Sequence, residues 1–276
     1  MNPLSLLGAL AIGLSLGVAG AGGSILTLPV LVYFAGIPPK QAVGLSLLIV
    51  GTAALVGAIQ RLRAGEVHLK AAGYFVISGM VGALLGARMT HLLSPSALMI
   101  TFAVLMTVVA VRMLLPRKKS SAGLPECHAA RCLMAGAGVG LLTGFLGVGG
   151  GFLLMPALAR FAGLPLRIAT GTSLAVITCN SAAGFISHLG EVPTPWLLAS
   201  VFAAIAGAGV YTGGLVAARL PEKALRQIFA LLVLVTAGFV FWKGWKASSS
   251  TGAPAADVSR FREGPLPDIS FSTTTP

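Results

Sequence analysis

The sequence predicts an all-α polytopic membrane protein made of two homologous four-segment repeats, the first segment of each being a broken helix. Three observations lead there: a composition too apolar for water, eight long apolar runs, and a glycine and proline pattern that returns at a fixed offset. Of 276 residues, 56% are hydrophobic and 9% charged, against about 25% charged in a soluble domain. The mean hydropathy is +0.92. Helical spans need about 17 to 25 apolar residues, and such runs fall near 4–35, 41–60, 69–92, 96–115, 132–162, 168–188, 195–218 and 223–243. Backbone groups in lipid must find partners within their own segment, and runs this continuous do not alternate as barrel strands do. Helices are the reading that remains.

The first run has no basic leader and continues past Ala19 without a cleavage context, so it reads as a retained segment. As one straight helix, 4–35 would reach about 48 Å, against a hydrocarbon core of about 30 Å. A break is expected at Gly20-Ala21-Gly22-Gly23, and in the fifth run at Gly147-Val148-Gly149-Gly150-Gly151, because glycine is costly in a helix interior and turns freely. New half-helices starting near Ser24 and Gly151 would aim free N–H groups and the positive dipole end at the break, an anion pocket that needs no cationic side chain. The alternative is that these glycines only allow tight helix crossing.

Residues 13–57 and 140–184 align at a constant offset of 127. Gly17, Gly20, Gly22, Gly23 and Pro29 meet Gly144, Gly147, Gly149, Gly150 and Pro156, and Gly36, Pro38, Gly44, Ser46 and Gly57 meet Gly163, Pro165, Gly171, Ser173 and Gly184. After a two-residue gap, Gly65-Glu66-Val67 meets Gly190-Glu191-Val192, and the fourth segments realign with Ala97, Leu98 and Phe102 opposite Ala224, Leu225 and Phe229. Such self-similarity marks a tandem duplication: repeat 1 at 1–115, a polar linker at 116–131, repeat 2 at 132–246. The tail, 247–276, is rich in Ser, Thr, Pro and Gly and reads as disordered. In the second segments the matched Ser46 and Ser173, with Thr172 and Asn180 of repeat 2, are candidate hydroxyl or amide donors to a ligand. A Ser or Thr in such a helix also commonly bonds its own preceding carbonyl.

The formal net charge of +12 does not indicate nucleic acid, because the basic residues sit in short clusters between apolar runs and act as a topology signal. All seven acidic residues, Glu66, Glu126, Glu191, Glu222, Asp257, Glu263 and Asp268, lie outside the apolar runs, so no buried carboxylate relay is supported. Glu66 and Glu191 read as loop residues at segment ends. The cysteines Cys127, Cys132 and Cys179 are too few for a disulfide framework, and Cys127-His128 with Cys132 lacks a fourth metal ligand. No metal, cofactor or enzymatic constellation is expected.

The two glycine-rich breaks, each followed by a proline, then FAGIP or FAGLP, then GLS or GTS, resemble the sulfite exporter TauE/SafE family, also called the 4-toluene sulfonate uptake permease family, over about residues 4–243. The resemblance implies a transporter of sulfur-containing or related organic anions such as sulfite, sulfoacetate or other sulfonates. It carries Gly20, Gly22, Gly23, Pro29, Gly147, Gly149, Gly150 and Pro156 over as pocket-forming positions, with Pro29 and Pro156 as structural helix-break residues. Ser24 stands where repeat 2 has Gly151, so the half-sites are not equivalent.

The expectation is a secondary transporter in a bacterial-type inner membrane that takes a small anionic substrate within the lipid bilayer and works by alternating access. A channel of the same fold and a non-transporting scaffold are the alternatives. The coupling ion, proton or sodium, and any oligomer stay open. If the broken segments cross, the repeats are parallel, with 12 Lys and Arg on the side of the termini and 7 opposite; if they return as hairpins, the repeats are inverted, with 13 on the linker side and 6 opposite. Inversion is favoured because it brings both half-helix starts to one midplane site.

Overall fold

The computed structural model describes residues 3–89, 95–114, 129–146, 151–188 and 195–250. Within them the chain is all-helical: α1 (Pro3–Ala19), α2 (Gly23–Pro29), a π-helical turn (Val30–Phe34), α3 (Pro39–Arg63), α4 (Leu69–Met89) and α5 (Pro95–Leu114), then α6 (Ala129–Leu146), α7 (Gly151–Phe161), α8 (Leu166–His188), α9 (Trp196–Arg219) and α10 (Glu222–Ser250). Among the described residues, Gln41–Arg63, Leu69–Gly86 and Trp196–Arg219 are long and apolar enough to cross a membrane, and four shorter apolar helices accompany them. Leucine, valine and isoleucine side chains such as Leu84, Leu197 and Val235 stand exposed around the outside, as a lipid-facing surface requires.

α1 stops where Gly20 takes φ +71, and its amide closes the last turn on the Leu16 carbonyl at 2.7 Å. α2 then folds back along α1: Gly23 lies against Ile12 and Leu16, and Gly8 lies against Val30. The stretch ends at Gly36 (φ +68), where the Ile37 amide reaches the Leu31 carbonyl at 3.0 Å. The counterpart of this cap closes α7, with Gly163 at φ +68 and the Leu164 amide 3.4 Å from the Leu158 carbonyl.

Small residues let backbones approach without side chains between them, and the two tightest helix pairs use this at matching positions. Gly13 and Gly17 of α1 stand against Ala206 and Val210 of α9; Gly140 and Gly144 of α6 stand against Gly79 and Ala83 of α4. Residue numbers rise together within each pair, so α1 runs with α9 and α6 with α4. Val56 and Gln60 of α3 meet Gly207 and Gly214, so α3 also runs with α9. α3 and α8 are antiparallel: Leu47 meets Gly184, Gly51 meets Ser181, and Gly57 meets Leu174.

Some boundaries differ from expectation. α6 starts at Ala129 and α10 runs to Ser250, so three residues of the expected linker and four of the expected tail are helical. Both edges extend an amphipathic or apolar helix by about one turn, where backbone hydrogen bonding outlasts the apolar pattern. The rest of the linker and tail lie outside the described residues. Cys132 is buried in α6 and disulfide-bonded, whereas Cys179 is free and exposed.

Candidate functional site

Gly20, Ala21, Gly22 and Gly23 are all buried, so the non-helical junction lies inside the protein, where such backbone is tolerated in a membrane. Three helices enclose it. From α8, the Ser173 hydroxyl lies 2.9 Å from the Gly20 carbonyl oxygen and 2.8 Å from the Thr170 carbonyl oxygen, and it is fully buried. A Cβ at Gly20 would press on the Thr170 methyl and lie 3.0 Å from the Thr170 Cα. From α10, the Leu232 side chain covers Gly22, 2.8 Å from where a Cβ would stand. From α7, Gly151 faces Ser24: a Cβ at Gly151 would lie 2.8 Å from the Ser24 Oγ and 3.0 Å from Ile177 of α8. The N-terminal ends of α2 and α7 thus meet, each with first-turn N–H groups that have no partner within the helix.

Six of the residues singled out in the sequence therefore come together: Gly20, Gly22, Gly23, Ser24, Gly151 and Ser173. The hydroxyls among them serve the protein. Ser24 donates to the Ala21 carbonyl at 3.0 Å, and Thr27 donates to the Gly23 carbonyl at 2.9 Å. Gly147, Gly149 and Gly150 lie outside the described residues. Asn180 stands on α8 one turn beyond Ile177, half-buried, with its Oδ1 buried and lacking a hydrogen-bond partner.

The other expected residues are elsewhere. Ser46 donates to the Val43 carbonyl at 2.7 Å, the local bond common for serine in helices. Thr172 points away from Gly20 and accepts from the His68 amide at 3.0 Å; successive helix residues lie about 100° apart, so Ser173 and Thr172 cannot share a face. The prolines do not interrupt their helices. Pro156 lies inside α7, and Pro29 ends α2 where the helix widens into the π turn without changing course. A π turn accommodates a missing N–H by shifting the hydrogen-bond spacing.

One functional candidate escaped the sequence reading. Arg61, at the end of α3, is 3% exposed and pairs with Glu66, although Glu66 reads in the sequence as a loop residue. The Gly65-Glu66-Val67 motif recurring in repeat 2 was the available signal.

The family model described as sulfite exporter TauE/SafE matches residues 5–240. A "Probable membrane transporter protein" of Xylella fastidiosa strain Temecula1 is 33% identical over 245 residues, covering 85% of this chain and 92% of the relative. "Probable membrane transporter protein YunE" of Bacillus subtilis strain 168 is 24% identical over 250 residues, covering 82% of this chain and 92% of the relative. "Probable membrane transporter protein MJ0441" of Methanocaldococcus jannaschii is 26% identical over 193 residues, covering 68% and 72%. With apolar helices able to span a bilayer and a family match over most of its length, the chain belongs to the sulfite exporter TauE/SafE family of membrane transporters.

Proposed function

We propose that the protein is a secondary transporter of small sulfur-containing or related organic anions, sulfite, sulfoacetate and other sulfonates, and that it holds the anion where α2 and α7 begin. The observation that carries this reading is the meeting of Gly151 with Ser24, two helix starts from opposite halves of the chain, beside the buried glycines 20, 22 and 23. Helix N-termini favour anions through free amides and dipole ends, and glycine lets oxygen atoms approach those amides closely. Asn180, on the same helix as Ile177, leaves its buried Oδ1 without a partner, an acceptor suited to a protonated substrate oxygen rather than to a bare oxyanion.

The antiparallel pairing of α3 with α8 supports an inverted repeat, in which the two half-helices approach the site from opposite sides and rocking exposes it alternately. Burial of 20–23 beneath Leu232 and Ser173 fits a site closed between states, which favours a carrier over an open channel.

Binding tests this directly. A ligand that binds only the folded state raises its melting temperature. Sulfite, thiosulfate, sulfoacetate, taurine and simple carboxylates are scanned against the wild type and Gly151→Ala, whose added methyl must displace only the Ser24 hydroxyl and the Ile177 tip. A sulfur oxyanion is expected to stabilise the wild type more than the folded variant. Equal shifts in both would remove the site from the helix starts, and no shift by any anion would remove the sulfonate reading.

A further inference from the structure

The α3–α4 turn carries a charged cluster that the central site does not use. α3 ends in a cap built on Gly65 (φ +70), in which the Glu66 amide donates to the Arg61 carbonyl at 2.9 Å. The chain doubles back over its own last helical turn, and the Glu66 carboxylate meets the Arg61 guanidinium through Oε2 and Nη1. Arg61 is 3% exposed, and its Nη2 is buried with no hydrogen-bond partner. A guanidinium does not deprotonate in a protein, and a buried donor left without a partner is destabilising. Arg167 of α8 stands beside the pair, its Nη1 3.8 Å from Glu66 Oε1. Its own donors reach the Ala218 and Leu220 carbonyls at the end of α9, at 3.0 and 2.8 Å. Two guanidinium groups therefore share one carboxylate, with an excess positive charge and a spare buried donor. Glu66 and Arg167 are 22% and 32% exposed, so the cluster reaches solvent.

One turn of α8 lies between this cluster and the central junction. Thr170 and Ser173 touch Gly20, while Gly171 packs on the Glu66 carbonyl and the Arg61 Cβ, and Thr172 holds the His68 amide.

We propose that the Arg61–Glu66–Arg167 cluster is a second oxyanion site at the α3-end mouth of the transporter, in which the Glu66 carboxylate occupies the place a substrate oxyanion takes when it arrives. An arriving sulfite or sulfonate engages Arg61 Nη2 and displaces Glu66 from Nη1, since a charged oxygen acceptor satisfies guanidinium donors as the carboxylate does. Displacement breaks the Glu66 tie between the α3–α4 turn and Arg167 of α8, and the intervening turn of α8 transmits the change to Gly20. The proposal rests on the anion-transport reading, but its site is separate from the helix starts.

The test uses the full-length protein with the central site blocked by Gly151→Ala, and titrates sulfite, sulfoacetate and sulfate while the melting temperature is followed. Adding Glu66→Gln removes the competing charge at nearly constant shape. A saturable upward shift is expected in Gly151→Ala/Glu66→Gln. It is expected to vanish when Arg61→Gln is added, a variant that removes both charges together and so leaves no buried ion unpaired. A shift in neither folded variant, or an equal shift in both, overturns the second site. Failure of the anion-transport reading shows separately, as a wild type that no anion stabilises more than it stabilises Gly151→Ala.

Discussion

At the residue scale the junction depends on a few backbone positions where a side chain does not fit. Gly20 combines a left-handed φ of +71 with the Thr170 backbone 3.0 Å from any Cβ. Alanine there is expected to cost about 2 kcal/mol in conformation alone, and more through contact with Thr170. Thermal melting checks this, with a clear drop in melting temperature predicted for Gly20→Ala. Ser173→Ala removes the bond to the Gly20 carbonyl and is expected to cost about 1 kcal/mol. Gly20, Gly22 and Gly23 were visible in the sequence because glycine in an apolar run is a backbone signal readable without knowledge of packing. Thr172 and Ser173 could not be told apart, because which of two adjacent helical residues faces the junction is set by how α8 is rotated against α1. Arg61 was unreadable as a buried residue for the same kind of reason: Gly171 of α8, 110 residues later in the chain (171 minus 61), packs against it.

At the element scale the fold is held by close helix pairs whose contacts are backbone on backbone. A Cβ at Gly140 would drive into the Gly79 carbonyl and lie 2.8 Å from the Gly79 Cα, whereas a Cβ at Gly138, on the same helix, meets nothing within 4 Å. Overpacking of this kind costs about 1–3 kcal/mol, while replacing an unconstrained helical glycine with alanine gains about 0.5–1 kcal/mol. Gly140→Ala is therefore expected to lower the melting temperature and Gly138→Ala to leave it equal or higher; a reversed order would contradict the α4–α6 packing. Glycine spacing in the sequence pointed to tight packing but not to partners. That Gly13 and Gly17 lie along α9 rather than on a neighbour within repeat 1 follows from the tertiary arrangement, in which each first helix crosses to the other half. The prolines were misleading as break markers: in repeat 1 the turn lies at Gly20, and Pro29 and Pro156 are absorbed within helices.

At the scale of the whole molecule, α1, α3 and α9 share one direction and α8 opposes them, the arrangement expected of hairpin first segments and inverted halves. With 13 Lys and Arg on the linker side and 6 opposite, the linker is expected in the cytoplasm and both termini across the membrane. Reporter fusions at the N-terminus and in the linker test this: opposite sides support inversion, and a shared side would require parallel halves. The central claim, an anion carrier working at the junction of α2 and α7, is tested most directly by flux. Purified protein is reconstituted in liposomes, and efflux of radiolabelled sulfite is followed as a function of its concentration for the wild type and Gly151→Ala. A carrier at this junction gives efflux that saturates, is accelerated by sulfite on the opposite side, and is lost in the folded variant; efflux that rises linearly without such exchange, or that the variant retains in full, rules it out.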